Sequence, residues 1–152
     1  MNIILRDVTE ENWYECTQLS VTDDQKANFR APVVYWIAES KFRESYRLLA
    51  VYNHDSLIGF SVYGYDKNDS HYWICAFMID QHHQRKGYGK AAMIKIIELL
   101  KEKYECQQIK LGHRHANKVA AMLYESLGFE EIDRTEKEVI RCLDIEVQNV
   151  KP

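Results

Sequence analysis

A short polar segment of the sequence carries the residues best suited to bind an anion. It combines three basic side chains with two glycines: Arg85, Lys86, Lys90, Gly87 and Gly89. An apolar run precedes the segment, and a helical pattern follows it. The first turn of a helix has unpaired N–H groups and about half a positive charge, and glycines let a ligand approach the backbone. The segment therefore indicates a cradle for a pyrophosphate.

The same pattern has a plainer interpretation, which is a strand-to-helix turn with a solvated basic loop. Short glycine motifs often occur by chance, so the glycines alone do not separate the two interpretations. The spacing differs from the glycine patterns of dinucleotide-binding folds and of P-loop kinases, and both kinds of site are therefore disfavoured.

Two elements must position this segment. The apolar run at residues 72–79 is rich in aromatic and branched side chains, which predicts a strand buried on both faces. After the segment, apolar residues recur on one helical face: Met93, Ile96, Ile97, Leu100 and Tyr104. The sequence thus predicts a buried strand, a glycine loop and an amphipathic helix, in that order.

The rest of the chain predicts further strands and helices around this unit. We expect strands at residues 2–8, 47–52, 57–65, 107–113, 129–134 and 139–146. We expect helices at residues 9–19 with Thr9 as N-cap, at residues 33–43 after Pro32, and from Asn117 to a stop at Gly128. Hairpin-linked strands followed by alternating helices and strands predict an α/β (α+β) domain with a mixed sheet, spanning residues 1–152 as a single unit.

Two motifs together resemble one enzyme family. The residues Gln84-Arg85-Lys86-Gly87-Tyr88-Gly89 resemble the Gln/Arg-x-x-Gly-x-Gly/Ala signature of the GCN5-related N-acetyltransferases (GNAT), and residues 77–80 resemble the end of that family's cofactor strand. A second motif of the family is similar to a downstream set: Asn117, Ala120, Leu123, Tyr124, Gly128 and Phe129. The two motifs stand in the family's order and separation, which is more specific than either alone. The resemblance implies a mostly antiparallel central sheet flanked by helices.

The resemblance implies acetyl-CoA as the cofactor and direct acetyl transfer to an amine in a ternary complex. It assigns cofactor contacts to Phe77, Met78, Ile79, Gln84, Arg85, Lys86, Gly87, Tyr88, Gly89, Lys90 and Asn117. In the family, a backbone N–H near the end of the cofactor strand polarises the thioester carbonyl, and such a donor typically contributes about 10²–10³ in rate. None of the four cysteines is placed as a persuasive covalent nucleophile.

By the same resemblance, Tyr124 is the catalytic residue that protonates the departing CoA thiolate. A phenol has a pKa near 10 and is therefore protonated at neutral pH. Asn117 lies seven residues earlier, about two helical turns away, and would contact the pantetheine arm or orient the helix. The alternative is that Tyr124 is a core aromatic and Asn117 only an N-cap.

The acceptor is less clearly indicated. Short segments resemble bacterial diamine (spermine/spermidine) acetyltransferases: residues 19–25, residues 29–40 from Phe29 to Ala38-Glu39-Ser40, residues 58–60 and residues 63–64. In such folds the first two helices form a wall of the acceptor pocket, so Asp23, Asp24 and Glu39 are candidates for binding a cationic amine; the alternative is that they are solvated carboxylates. Peptide N-termini, small drug-like amines and a non-catalytic acetyl-CoA sensor also remain open.

The proton route from the amine also stays open. Glu39, Asp23, Asp24 or a chain of waters could remove the proton, and His113 and His115 precede the second motif closely enough to be considered. The six histidines show no metal-ligand spacing, so we expect no metal site.

Composition and charge argue against several other classes of function. A net charge of −3 does not indicate a general nucleic-acid surface. The chain shows no signal-peptide pattern and no apolar run of the ~20 residues needed to span a bilayer. We therefore expect a cytoplasmic protein with a small-molecule amine substrate and no membrane or nucleic-acid partner. The resemblance leaves open a homodimer through the C-terminal strands.

Overall fold

Seven strands form one sheet in the computed structural model, which describes residues 1–29 and 31–145. In chain order they are β1 Ile3–Asp7, β2 Arg47–Asn53, β3 Ser56–Asp66, β4 His71–Ile79, β5 Gln108–Arg114, β6 Glu130–Arg134 and β7 Glu138–Asp144. The order across the sheet is β1-β2-β3-β4-β5-β7-β6. Only the β4–β5 pair is parallel among these strands, so the predicted mixed, mostly antiparallel sheet is confirmed.

Four α-helices cover the two faces of the sheet: α1 Trp13–Thr17, α2 Val33–Ser40, α3 Tyr88–Tyr104 and α4 Lys118–Ser126. On one face, Met93, Ile96 and Leu100 of α3 share a core with Tyr124 of α4. On the other face, Cys16 of α1 and Trp36 of α2 pack with Phe60 of β3. Among the described residues, no helix is long and apolar enough to cross a membrane.

The predicted elements are found with small shifts at their ends. The helix predicted from residue 9 begins instead at Trp13, because Thr9 starts a turn in which the Asn12 Oδ1 accepts from the Thr9 N–H at 2.7 Å. It ends at Thr17 rather than residue 19, since the Ser20 N–H is held by Asp80 Oδ1 at 2.9 Å. Residue 146, the predicted end of the last strand, lies outside the described residues.

The second predicted helix is also shorter than expected. It ends at Ser40 instead of residue 43, and the Arg43 N–H donates to the Glu39 carbonyl at 3.1 Å in a closing turn. A further turn, from the Tyr46 N–H to the Arg43 carbonyl at 3.0 Å, then leads the chain into β2. Local turns therefore set this boundary, and the helical pattern alone did not show them.

Candidate active site

A cleft opens between β4 and β5 because their pairing stops early. The parallel ladder joins only residues 72–74 to residues 109–111. Against β3, Val62 pairs with Ala76 and Tyr63 pairs with Ile74, so Cys75 is an extra residue that forms a β-bulge. A bulge bends its strand and can end a ladder. We call the space between residues 75–79 of β4 and residues 112–114 of β5 the cleft.

The edge of β4 along the cleft offers backbone hydrogen-bond donors. The Asp80 N–H donates to the Ile58 carbonyl of β3 at 2.8 Å. Successive N–H groups of a strand point to opposite edges, so those of Phe77 and Ile79 point away from β3 and toward the cleft. The N–H of Met78 points toward β3, and its side chain packs with α1 and α2. The edge is therefore equipped to hold ligand oxygens.

The loop after β4 forms an open turn at the start of α3. Gly87 is the N-cap with a φ of 83°, a conformation that favours glycine. A Cβ at this position would contact only Met1 Cε, at 3.6 Å, among the described residues. Arg85, Lys86 and Lys90 are exposed, and the described part of the chain offers none of them a salt bridge. This helix end therefore has the space and the charge to hold a phosphate-bearing ligand.

Side-chain amides fasten this loop to the rest of the site. Gln84 Nε2 donates to the Ile79 carbonyl at 2.9 Å. Gln84 and Gln25 also exchange two amide hydrogen bonds, at 2.8 and 3.0 Å. Asp80 is buried, and its carboxylate accepts from the N–H groups of Ser20 and His82. These contacts attach the segment between α1 and α2 to the loop at two points, Ser20 and Gln25.

Removing the Gln84 amide should destabilise the protein. Gln84→Ala loses three partly buried hydrogen bonds, and we expect the free energy of unfolding to fall by about 2 kcal/mol. Urea denaturation followed by circular dichroism measures this change. Gln107→Ala, at an exposed glutamine, is the matched control and should change stability little. Equal stabilities for the two variants would show that the amide pair does not hold the loop.

Tyr124 lies on α4, with its ring centre 6.0 Å from that of His113, one of the β5 residues that line the cleft. Asn117 is the N-cap of this helix, and its Oδ1 accepts from the Ala120 N–H at 3.1 Å. The two sequence motifs approach each other at Gly89 of the first motif. A Cβ on Gly89 would lie 3.9 Å from Ile79 of β4 and also 3.9 Å from Leu123 of the second motif. The Tyr124 side chain is 8% exposed, and its hydroxyl has no hydrogen-bond partner in the described part of the chain. The hydroxyl is therefore a donor without a protein acceptor.

The acid form of Tyr124 should persist to high pH. Burial raises the pKa of Tyr124 to about 12, so the phenol stays protonated well above the usual tyrosine pKa of ~10. If Tyr124 donates a proton in the reaction, kcat should stay level from about pH 8 to pH 10 at saturating substrates. A fall centred near pH 10 that is absent in Tyr124→Phe would contradict this prediction.

Comparison with known proteins decides the family. Residues 7–129 match the family model described as the acetyltransferase (GNAT) family. The chain belongs to the GNAT acetyltransferase family. The prediction made from the two sequence motifs is confirmed, and the protein is an acetyltransferase.

Two curated relatives share about a third of their residues with this acetyltransferase. A probable spermine N(1)-acetyltransferase of Bacillus subtilis subsp. natto strain BEST195 is 31% identical over 136 residues, which are 86% of this chain and 89% of the relative. The spermine/spermidine N(1)-acetyltransferase of Bacillus subtilis strain 168 is 30% identical over 136 residues, again 86% of this chain and 89% of the relative.

Solved structures show the same fold at low identity. AAC(6')-Ib, solved with paromomycin and acetyl-CoA, has a TM-score of 0.82 and 15% identity, and the match covers 100% of this chain and 99% of that one. The PaiA N-acetyltransferase of Thermoplasma acidophilum, solved with coenzyme A, has a TM-score of 0.68 and 17% identity, with 95% and 99% coverage. The expected GNAT fold is therefore confirmed.

One of the predicted acceptor carboxylates of this acetyltransferase lies near the bulge where the cleft begins. Glu39 has a side chain 15% exposed and is paired with Arg43 at 3.2 Å. Its charge contributes to a raised pKa of about 12 for Tyr46, behind the larger effects of burial and of Cys75. Tyr46 directly precedes β2, and its ring centre lies 6.4 Å from that of Trp36 on α2. Tyr46 therefore links α2 to the neighbourhood of Cys75, the bulged residue of β4.

The other two predicted carboxylates lie on the outer surface of a 3₁₀ turn, Asp23–Gln25. The Asp23 side chain is 97% exposed and pairs with Lys26 at 3.0 Å. Asp24 accepts a hydrogen bond from the Thr22 hydroxyl at 2.6 Å. No contact among the described residues links either carboxylate to Glu39, so the structure does not gather the three into one cluster.

The sequence left open the role of His113 and His115, and in the structure both ring nitrogens of each already have hydrogen-bond partners. His113 Nδ1 donates to the Arg114 carbonyl at 2.9 Å, and its Nε2 accepts from Arg141 Nε at 2.9 Å. His115 lies 2.9 Å from the Thr135 carbonyl and 3.0 Å from Arg134 Nη1. Neither imidazole has a nitrogen left to act as a base in the cleft.

Three parts of the site were not predicted from the sequence: the bulge at Cys75, the hydrogen bonds of Gln25 to Gln84, and the buried Arg141. Of these three, only Arg141 could have been noticed in the sequence pattern. It occupies an inward position of the alternating strand β7, between Val139 and Leu143, where a charged side chain is unexpected.

Proposed function

We propose that this acetyltransferase moves the acetyl group of acetyl-CoA to a primary amine of a polyamine or diamine, in a direct ternary complex. The observation that carries the proposal is the edge of β4 beyond the end of the parallel ladder, together with the Tyr124 hydroxyl, which has no hydrogen-bond partner among the described residues. The two spermine-acetylating relatives support the acceptor class.

The residues of the loop and of β4 fit the cofactor. The open turn at Gly87 and the first turn of α3 would hold the pyrophosphate, with Arg85, Lys86 and Lys90 supplying positive charge. Gly89, Tyr88 and Gln84 would shape the turn, and the Tyr88 hydroxyl is itself held by Asn53 Nδ2 at 3.1 Å. The N–H groups of Phe77 and Ile79 would bind oxygens of the pantetheine arm and thioester, and Asn117 would orient α4. When bound, acetyl-CoA supplies the acetyl group as a thioester.

A polyamine nitrogen is protonated at neutral pH, so the reaction needs two protons removed from that nitrogen and one delivered to the sulfur. The amine nitrogen forms a bond to the acetyl carbon while the carbon–sulfur bond breaks, and Tyr124 donates its phenolic proton to the departing sulfur. The ammonium loses one proton to water before it attacks, and its nitrogen loses a second proton to water as the amide forms. The phenolate regains one proton from water, so the enzyme ends unchanged. A strand-edge N–H stabilises the negative charge that develops on the carbonyl oxygen.

On the acceptor side, Glu39 is a mostly covered carboxylate near the bulge. A polyamine is a chain of ammonium groups, and a carboxylate bound to a second ammonium would leave the first one free to reach the cleft. Glu39 fits this role because its side chain is largely covered, which strengthens a charge contact relative to an exposed one. Asp23 and Asp24 would attract the cation from a distance through their exposed charge.

The test is release of the CoA thiol from acetyl-CoA with a panel of amines. Spermine, spermidine and putrescine should react, and peptides with free N-termini and an aminoglycoside should react far more slowly. A peptide or an aminoglycoside as the best acceptor would overturn the acceptor class and keep acetyl transfer. Tight acetyl-CoA binding without thiol release to any amine would favour the sensor interpretation.

Changing Glu39 should affect the acceptor and not the cofactor. Glu39→Gln keeps the shape and removes the charge, and we expect KM for spermine to rise about tenfold because a charged contact of ~1.5 kcal/mol is lost. CoA affinity, measured by calorimetry, should stay the same. Glu44→Gln, at an exposed glutamate nearby, is the control. An unchanged KM for spermine would remove Glu39 from the acceptor site.

A further inference from the structure

A buried arginine stands behind the candidate catalytic tyrosine. Arg141 is 7% exposed and lies on β7 in register with Leu111 of β5, on the face covered by α4. Burying a guanidinium is costly unless its donors are satisfied. Its nearest carboxylate, Glu125 Oε2, lies 3.7 Å from Nη2 and is itself 60% exposed. A general gain in stability is therefore a weak explanation for this residue.

The guanidinium gathers three groups that surround Tyr124. Arg141 Nε donates to His113 Nε2 at 2.9 Å, and Nη1 donates to the Phe129 carbonyl at 3.4 Å. The third group is Glu125, which directly follows Tyr124 on α4. One side chain thus connects β5, β7, the last turn of α4 and Phe129, which directly precedes β6.

Two of these groups also pack against the tyrosine. The His113 ring centre lies 6.0 Å from that of Tyr124, and the Phe129 ring stands edge-on at 5.8 Å. The Phe129 N–H donates to the Tyr124 carbonyl at 3.0 Å. His113 cannot rotate freely, because both of its nitrogens are bonded. The orientation of the Tyr124 ring therefore depends on groups that are hydrogen-bonded to Arg141.

The hydroxyl of Tyr124 makes this dependence important. It has no protein hydrogen bond of its own among the described residues, so no polar contact at the tip of the ring fixes its direction. Only packing along the sides of the ring can aim the O–H into the cleft. A shift of about 1 Å in a reacting group can cost about 10²-fold in rate.

We propose that Arg141 is a positioning residue for Tyr124: through His113 and Phe129 it holds the phenol in line with the cleft. The proposal rests on the proposed function, in which Tyr124 donates the proton to the departing sulfur. It predicts that changes at Arg141 reduce kcat through Tyr124 and leave cofactor affinity intact.

The experiment is a double-mutant cycle. Arg141→Lys keeps the buried charge but cannot donate to His113 and Phe129 together. We expect a fall in kcat of about 10- to 100-fold, with KM for acetyl-CoA within about twofold. In the Tyr124→Phe background, Arg141→Lys should change kcat by less than about twofold, because the proton donor it aims is already gone. The control is Arg134→Lys, an exposed arginine on β6 that should have no effect.

Three results would overturn the proposal. An unchanged kcat in Arg141→Lys would show that the arginine does not position Tyr124. An equal loss in both backgrounds would assign it a purely structural role. A Tyr124→Phe variant with full kcat would remove the proton-donor role itself, and this failure of the proposed function is distinct because it appears before Arg141 is changed.

A second pair of variants keeps the test open if Arg141→Lys does not fold. His113→Gln retains an acceptor for Arg141 Nε, and His113→Leu does not. We expect the Leu variant to show the same loss of kcat, absent in the Tyr124→Phe background, and the Gln variant to recover part of it. Equal kcat values for the two His113 variants would contradict the role of the Arg141–His113 hydrogen bond.

Discussion

Tyr124→Phe should lower kcat by about 10²–10⁴-fold, the range expected when a general acid is removed. Tyr124 lies on α4, and burial raises its pKa to about 12, which holds the hydroxyl in its acid form. Since the hydroxyl has no protein partner among the described residues, replacing it by hydrogen should leave the fold and the packing of His113 and Phe129 unchanged. Steady-state thiol release with spermine at saturating acetyl-CoA measures the effect.

The control for Tyr124→Phe is another partly buried tyrosine. Tyr104 shares a hydrogen bond with Tyr63, hydroxyl to hydroxyl at 2.9 Å, at the far end of α3. Tyr104→Phe should keep kcat within about twofold while losing some stability. CoA affinity should be unchanged in both variants. If Tyr124→Phe keeps normal turnover, another group or water protonates the sulfur.

The unit that carries the first motif could be predicted from the sequence because local chemistry determines it. The apolar run predicted a strand buried on both faces, and the observed β4, His71–Ile79, starts one residue before it. Four residues of the run are buried, and the other four, Tyr72, Trp73, Cys75 and Phe77, are only half-buried. The helix after the loop repeats its apolar residues every three or four positions, and the observed α3, Tyr88–Tyr104, buries three of the five predicted residues fully. Glycine at residue 87 is favoured by its φ of 83°.

The shape of the cleft could not be predicted in the same way. Cys75 becomes an extra residue only relative to its partners on β3, and nothing in the apolar run marks it. The link between Gln25 and Gln84 joins residues 59 positions apart. The end of α1 likewise depends on Ser20 reaching Asp80. Each feature is a long-range contact, and no periodic pattern in a single sequence records such contacts.

Gly87→Glu should abolish CoA binding without unfolding the protein. The substitution puts a carboxylate at the turn that we assign to the pyrophosphate. Two like charges ~4 Å apart near a surface repel by about 4 kcal/mol, which corresponds to roughly a 10³-fold weaker Kd. The positive φ adds a local cost of about 1–2 kcal/mol, which a negative charge at the start of α3 partly offsets by its interaction with the helix dipole. Calorimetry with CoA and thermal unfolding measure the two effects separately.

Gly87→Asn separates charge from backbone strain. Asparagine tolerates a positive φ better than other side chains, is neutral, and would enter open space beside Met1. We expect its Kd for CoA to stay within about tenfold of that of the unmodified protein, because it carries no like charge. If the Asn variant loses CoA affinity as completely as the Glu variant, the turn requires glycine for steric reasons. If the Glu variant still binds CoA, the pyrophosphate does not lie at Gly87, and the positive charge of Arg85, Lys86 and Lys90 must serve another ligand.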